Sequence, residues 1–101
     1  MTEVLAEQVK ELQTKGEKVL VQYTASWCGP CRTLTPRLSN LENSYSNVTF
    51  LKVDVDKNMN EAVSLEIRSV PTVIVYNGNE MVSRSTGVQP DSFYKEILDN
   101  L

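Results

Sequence analysis

Two short, largely apolar runs, residues 19–23 and 72–76, constrain the fold of this 101-residue chain more than any other feature. Both are rich in β-branched residues and lack the regular alternation of apolar and polar residues that marks a half-exposed strand. Such runs are typical of strands that are covered on both faces. Because a sheet covered on both faces needs a layer of helices on each side, the runs predict an α/β fold.

Helical patterns surround these runs. Apolar residues at helical spacing predict a helix over roughly residues 5–15 with Gly16 as its stop, although Val4 and Leu5 could instead form a short strand. A second apolar stripe is interrupted by Pro36, which should kink that helix. The members of this stripe are Leu34, Leu38, Leu41 and Tyr45.

Two further helices are expected in the second half of the chain. Residues 58–66 predict a short helix whose inward side carries Ala62 and Leu65. Pro90 and Asp91 suit the first turn of a last helix. The apolar face of that helix is predicted to consist of Phe93, Ile97, Leu98 and Leu101.

Additional strands complete the sheet. Residues 48–55 are rich in β-formers, and Asn77-Gly78 is a hairpin signal that leads from the second apolar run into residues 80–86. Strands linked by helices are usually parallel, and a hairpin adds an antiparallel pair. The predicted order is helix, strand, helix, strand, helix, strand, strand, helix. We therefore expect one α/β domain over residues 1–101, with a central mixed β-sheet flanked by helices on both faces.

Charge and hydropathy argue against several classes of partner. The formal net charge is −3 and no extended basic cluster occurs, so neither nucleic acid nor an anionic membrane surface is expected as a partner. The N-terminal segment carries charge in every turn and lacks the apolar core of a signal peptide, and no apolar run approaches the length of a membrane span. We expect a cytoplasmic, monomeric protein.

Both cysteines of the chain lie within four positions, as Cys28-Gly29-Pro30-Cys31. Two residues between two thiols allow a small disulfide ring, so the pair can alternate between a dithiol and a disulfide. A zinc or iron–sulfur site needs about four ligands, whereas the chain has no histidine and no third cysteine. Only a metal site shared between subunits remains as an alternative. We expect thiol–disulfide exchange, with no metal and no cofactor other than the Cys28–Cys31 disulfide itself.

The cysteine pair is placed where a buried strand ends and a helix begins. Unpaired N–H groups and the helix dipole favour a thiolate there, which makes Cys28 the expected nucleophile. Cys31 lies one turn further along and should be shielded, so that it resolves the mixed disulfide that Cys28 forms with a substrate. Gly29 lets a substrate backbone approach, and Pro30 stiffens the loop at a position where its missing N–H matters little.

Together with the preceding tryptophan, the sequence Trp27-Cys28-Gly29-Pro30-Cys31 resembles the active-site motif of the thioredoxin family. Further matches occur in the family's order and cover nearly the whole chain: Ala25 and Ser26, Pro36, Val53-Asp54-Val55-Asp56, Val70-Pro71-Thr72, Asn77-Gly78 and Gly87. The resemblance implies the thioredoxin fold and a protein-disulfide reductase. It also implies that electrons pass from an NADPH-dependent thioredoxin reductase to disulfides in other proteins.

The resemblance further implies an apolar docking surface around Cys28. Its expected members are Trp27, Gly29, Pro30, Val70, Pro71, Gly87 and Val88. In the family the peptide bond before this proline is cis and lies opposite the cysteines, and the backbone of Val70 pairs with an extended substrate segment. From the residues alone, Pro71 could equally be a trans proline at the start of a strand. Val70 and Val88 could likewise be partly buried without any role in docking.

Gln22 departs from the family pattern. Thioredoxins usually carry a buried aspartate there, which handles the proton of the deeper thiol, here Cys31, whereas glutamine can orient a water but cannot act as a base. The family's buried lysine corresponds to Lys52, which shares a strand face with Phe50 and Asp54. Without its ionic partner, Lys52 would rely on Asp54 or solvent, or extend outward. The hypothesis is an exchange in which resolution by Cys31 is slow or uses another base.

Two other functions fit the same residues. The chain could be a dedicated electron donor to a single partner enzyme, or a redox-gated binding subunit of another protein. An intact cysteine pair argues against a purely structural role, because structural members of the family often lose a cysteine. Turnover with thioredoxin reductase and NADPH distinguishes an electron carrier from a binding subunit.

Overall fold

The computed structural model describes all residues from 1 to 101. In chain order its elements are β1 (Thr2–Glu3), α1 (Ala6–Thr14), β2 (Lys18–Thr24), α2 (Gly29–Glu42), β3 (Thr49–Asp54), α3 (Met59–Ser64), β4 (Thr72–Asn77), β5 (Glu80–Thr86) and α4 (Asp91–Asp99). Every element except β1 corresponds to a segment predicted from the sequence. No helix combines the length and the apolar character that crossing a membrane requires.

The strand near the N-terminus lies earlier than the sequence suggested. Val4 and Leu5 were the candidates, whereas β1 comprises the two residues before them and pairs in parallel with β3. Leu5 instead occupies the N-cap position of α1. Both residues of β1 are exposed, so no apolar pattern marks this strand, and its pairing with β3 alone defines it.

The sheet is mixed, as predicted, with the strand order β1-β3-β2-β4-β5. β1 and β2 lie parallel to β3 on its two sides, while β4 runs antiparallel to both β2 and β5. The turn between β4 and β5 contains Gly78, whose φ of +59° suits a residue without a side chain. The hairpin predicted from Asn77-Gly78 is therefore confirmed.

Helices cover both faces of the sheet and form two separate cores. The α2/α4 face, which packs against α2 and α4, contains Leu20, Leu34, Leu38, Leu41, Val48, Phe50, Val73, Val75, Tyr94 and Leu98. The α1/α3 face, on the opposite side, contains Val9, Val19, Val21, Tyr23, Leu51, Val53, Ile74 and Tyr76. Because β2 and β4 contribute to both cores, the prediction that these strands are covered on both sides is confirmed.

The helix ends differ from the predictions in detail. Pro36 lies inside α2 as expected, but Tyr45 lies beyond the end of α2 and packs against the α2/α4 face from there. Leu65 is the C-cap of α3 rather than a residue within it, and Ala62 is only half-buried. Pro90 is the N-cap of α4, whose first residue is Asp91.

Tyr94 is the main residue of α4 that the predicted apolar face lacks. It is 1% exposed, whereas Phe93, Ile97 and Leu101 are only partly buried against the same core. The Tyr94 hydroxyl accepts a hydrogen bond from the backbone N–H of Gln89, which satisfies its polar end. A tyrosine with such a partner can take a core position that apolar pattern alone would not assign to it.

Candidate active site

Cys28 and Cys31 form a disulfide at the start of α2, with their Cα atoms 5.4 Å apart. Cys28 is the N-cap residue and has an extended backbone, with φ −87° and ψ 108°. The backbone N–H of Cys31 donates a hydrogen bond to Cys28 Sγ, at an N···S distance of 3.2 Å. One of the N–H groups that a helix start leaves unpaired is thus directed at the first of the two sulfurs, where the sequence predicted it.

Both cysteines are shielded to the same degree. Each is 3% exposed, and together with Ala25 they form a small apolar cluster against which Val55 and Val70 pack. Cys31 is buried as predicted, but Cys28 is equally buried in the disulfide form. The two cysteines therefore differ in their position relative to the helix start, and not in their exposure.

The residues next to the disulfide in the chain are exposed. Gly29 and Pro30 occupy the first turn of α2 and are open to solvent. Trp27 is 68% exposed, and its indole N–H donates a hydrogen bond to Asp56 Oδ2 at 2.8 Å. This contact holds the tryptophan against the loop that follows β3, beside Cys28.

A second segment approaches the disulfide from the start of β4. The peptide bond between Val70 and Pro71 is cis, as the family resemblance implied, and Val70 packs against the cysteine cluster. The carbonyl of Pro71 accepts a hydrogen bond from the N–H of Gly87 at 2.8 Å. Val88 follows as an exposed residue. The structure thus places Val70 beside the disulfide and Gly87 beside Pro71.

Gln22 is completely buried, and its amide is only half satisfied. Its Oε1 accepts a hydrogen bond from Thr35 Oγ1 at 3.0 Å, while its Nε2 has no partner. The same Thr35 hydroxyl lies 2.9 Å from the backbone carbonyl oxygen of Cys31. A buried donor without a partner costs about 1–3 kcal/mol of stability.

Thr35 is a site residue that the sequence reasoning missed. A signal was available, because a threonine hydroxyl in a helix often lies against the carbonyl four residues earlier, and Thr35 follows Cys31 by that interval. Through its hydroxyl, Thr35 connects the side chain at position 22 to the backbone of the second cysteine.

Lys52 and Asp54 lie on β3 beside β2. In the parallel register Lys52 is the partner of Gln22, and Asp54 is the partner of Thr24. Lys52 is half-buried and forms no salt bridge, so Asp54 does not replace the ionic partner that a carboxylate at position 22 would provide. Asp54 is 8% exposed, and its Oδ1 accepts a hydrogen bond from the N–H of Asp56 at 2.8 Å.

A groove of about 480 Å³ opens at this edge of the sheet. Its walls include Cys28, Cys31, Thr35, Lys52 and Asp54, together with Glu3 and Lys57. Lys57 and Glu3 form an exposed ion pair at 3.1 Å. The hydrogen bond to Glu3 raises the pKa of the Lys57 ammonium, and the charges of Glu3 and Asp54 act in the same direction. No group of three or more His, Cys, Asp or Glu side chains is arranged to hold a metal ion.

Comparison with known proteins agrees with this site. The family model for thioredoxin matches residues 2–99. Thioredoxin-2 of Saccharomyces cerevisiae is 37% identical over 85% of this chain and 84% of its own length, and a thioredoxin of Staphylococcus haemolyticus is 41% identical over 79% and 78%. The structure of Fasciola hepatica thioredoxin is similar with a TM-score of 0.88 at 28% identity, over 100% of both chains. A family match of this extent, on a chain with a disulfide at the start of α2, shows that the protein belongs to the thioredoxin family.

Proposed function

We propose that this chain reduces disulfides in other proteins by dithiol–disulfide exchange, with Cys28 as the attacking thiol and Cys31 as the resolving thiol. The hydrogen bond from the Cys31 N–H to Cys28 Sγ carries this assignment. The thiolate is the reactive form of cysteine, and an N–H at a helix N-terminus stabilises negative charge on the atom it faces. The sulfur of Cys31 receives no such bond.

The reaction transfers two electrons from the cysteine pair to the substrate. The Cys28 thiolate attacks one sulfur of a substrate disulfide, forms a mixed disulfide and releases the other substrate sulfur as a thiolate. The Cys31 thiolate then attacks Cys28 Sγ. This step forms the Cys28–Cys31 disulfide and releases the second substrate sulfur, so that one disulfide is reduced while the other is made.

A substrate segment would dock in extended form beside the disulfide. Val70 lies outside the strands, and neither its N–H nor its carbonyl forms a hydrogen bond within the chain. An unpaired backbone beside an open site can add an extended peptide as a further strand. The exposed Trp27, Gly29 and Pro30 would provide apolar contacts on one side of that peptide, and Pro71, Gly87 and Val88 on the other.

The electron source would be an NADPH-dependent thioredoxin reductase. The exchange needs no cofactor beyond the cysteine pair, since the reductase returns the disulfide to the dithiol. A reducing compartment such as the cytoplasm suits a chain whose two cysteines both serve exchange. A monomer is sufficient, because one chain supplies the disulfide, Trp27 and Val70.

A coupled assay tests this function. Wild-type protein, thioredoxin reductase and insulin as the disulfide substrate should oxidise NADPH continuously, and Cys28→Ser should abolish turnover. Absence of NADPH oxidation by wild-type protein would contradict the proposal and favour a binding subunit.

Trapping tests the assignment of the two thiols. In Cys31→Ser the mixed disulfide has no resolving thiol, so covalent complexes with substrate should accumulate on Cys28 and be visible by non-reducing electrophoresis. Cys28→Ser is the matched control, because it leaves one thiol at the other position. Complexes that accumulate on Cys31 in the control would reverse the assignment.

A further inference from the structure

The residues of β2 and β3 that face α2 change from apolar to polar towards the cysteine end of the sheet. The parallel register pairs Leu20 with Phe50, then Gln22 with Lys52, and then Thr24 with Asp54. Asp54 lies two residues, or roughly 7 Å of strand, beyond the position paired with Gln22. It is therefore nearer than Gln22 to the end of the sheet at which the cysteines lie. Asp54 lines the groove that contains the disulfide, and Gln22 does not.

The carboxylate of Asp54 has one oxygen that the protein does not use. Oδ1 accepts the N–H of Asp56, and no group of the protein donates to Oδ2. Gln22 Nε2 is the one buried side-chain polar atom that has neither solvent contact nor a hydrogen-bond partner. Because Asp54 Oδ2 also has no partner within the protein, it must contact solvent, which it reaches through the groove. A water molecule occupies about 30 Å³, so a groove of about 480 Å³ can hold water between this oxygen and the sulfur of Cys31.

We propose that Asp54 accepts, through water in this groove, the proton that the Cys31 thiol must lose before it attacks the mixed disulfide. The inference rests on the proposed exchange through Cys28 and Cys31. The Cys31 S–H proton passes to water while that water gives a proton to Asp54. The resulting Cys31 thiolate attacks Cys28 Sγ and displaces the substrate thiolate. Asp54 then returns the proton through water to that thiolate, so the carboxylate is regenerated.

The charged groups around Asp54 suit this transfer. Lys52 on β3, Lys57 and Glu3 at the mouth, and Arg32 on α2 line the same groove, and Asp56 follows in the next loop. Lys57 is already engaged by Glu3, whereas Lys52 has no ionic partner. As the proton moves to Asp54, the negative charge moves to Cys31. Lys52 lines the groove with both groups, so it can attract that charge before and after the transfer.

The lifetime of the mixed disulfide measures this step. Reduced protein is mixed with insulin, quenched with acid at intervals, and analysed by mass spectrometry to separate the mixed disulfide from oxidised protein. Asp54→Asn keeps an acceptor oxygen for the Asp56 N–H but cannot take up a proton. A general base typically contributes about 10²–10⁴-fold, so mixed-disulfide decay in this variant should be at least about tenfold slower at pH 6–7. The deficit should shrink as the pH rises, because a larger fraction of a thiol is then ionised without a base.

Two variants separate proton transfer from a change in charge or structure. Glu11→Gln removes the same charge from an exposed position of α1 outside the groove, and decay should keep its wild-type rate. Asp54→Glu keeps a carboxylate in the groove, and decay should stay close to the wild-type rate. Should Asp54→Asn fail to fold, Asp54→Ser retains an acceptor for the Asp56 N–H and should show the same slow decay.

Several outcomes would overturn the assignment. They are an unchanged decay rate in the folded Asp54→Asn variant across pH 6–9, an equal slowing in Glu11→Gln, or decay as slow in Asp54→Glu as in Asp54→Asn. Formation of the mixed disulfide depends on Cys28 alone. If wild-type protein forms none, the proposed function fails; if it forms and decays normally without the Asp54 carboxylate, only the role of Asp54 fails.

Discussion

The two faces of β2 and β3 are built from the same strands but serve different purposes. Towards the α1/α3 face the buried side chains of these strands are all apolar or aromatic: Val19, Val21, Tyr23, Leu51 and Val53. Towards the α2/α4 face they begin with Leu20 and Phe50 and continue with Gln22, Lys52 and Asp54. One face of these strands is therefore continuous apolar core, while the other face becomes polar at the end where the cysteines lie.

Magnitudes show why the sheet tolerates this division. Full burial of one large apolar side chain stabilises a fold by about 1.5–3 kcal/mol, and an unsatisfied buried donor such as Gln22 Nε2 costs about 1–3 kcal/mol. The burial of a single apolar side chain on the α1/α3 face thus offsets the cost of the unpaired Gln22 amide on the α2/α4 face. Substitutions on the α1/α3 face should therefore lower stability. At the polar end of the α2/α4 face, loss of the unpaired Gln22 amide should raise stability, and only loss of the Asp54 carboxylate should slow the exchange reaction.

The largest stability effect is expected from Ile74→Ala on the apolar face. Ile74 is 0% exposed, and removing such a side chain leaves a cavity that costs about 2–5 kcal/mol. Urea unfolding measures the loss, and the coupled NADPH assay on folded protein should show unchanged turnover. Val63→Ala is the matched control, because Val63 is 75% exposed and its loss should cost under about 0.5 kcal/mol. An Ile74→Ala variant of normal stability but low turnover would contradict a purely structural role for this face.

Gln22→Met tests the cost of the unpaired amide on the polar side of the same strands. Methionine has nearly the shape of glutamine without its unpaired donor, so the free energy of unfolding should rise by about 1 kcal/mol, as read by urea unfolding. Resolution of the mixed disulfide should keep its wild-type rate, because glutamine cannot act as the base.

A double-mutant cycle with Thr35→Val checks the reason for that gain. In the wild-type background, Thr35→Val leaves Gln22 Oε1 without its donor and should lower stability by about 1 kcal/mol. In the Gln22→Met background that acceptor no longer exists, so the same substitution should cost clearly less. Equal costs in the two backgrounds would show that the hydrogen bond between Thr35 and Gln22 does not govern the stability at position 22.

The sequence predicted the apolar face well because burial on both sides leaves an unbroken apolar run. It also predicted the position of the cysteines at the start of a helix, while the cis bond before Pro71 came only from the family resemblance. Hydrogen-bond partners that depend on tertiary contacts could not be predicted from the sequence. The missing partner of Gln22 Nε2 and the link through Thr35 depend on how α2 lies across β2. Likewise, the two residues of β1 become a strand only by pairing with β3.

The smallest effect is expected from the phenols, and only in alkali. Burial raises the pKa of Tyr23 far above its ordinary value, and Tyr76 on the same face is shifted in the same direction, again chiefly by burial. The folded state therefore keeps a proton that the unfolded chain loses near pH 10. The stability that these groups contribute is fully present below pH 10 and is lost as the pH rises above it.

Tyr23→Phe should accordingly flatten the fall in the free energy of unfolding between pH 10 and 12 while changing it little at pH 7. Tyr94→Phe provides the contrast on the other side of the sheet. Burial also raises the pKa of Tyr94, but its hydroxyl accepts the N–H of Gln89 at 3.2 Å. Removing this acceptor should cost about 1 kcal/mol already at pH 7, and the alkaline slope should flatten as it does for Tyr23→Phe. Urea unfolding at pH 7, 10 and 11.5 separates the two patterns. A Tyr23→Phe variant with the wild-type alkaline slope would show that the apolar face does not hold this phenol neutral.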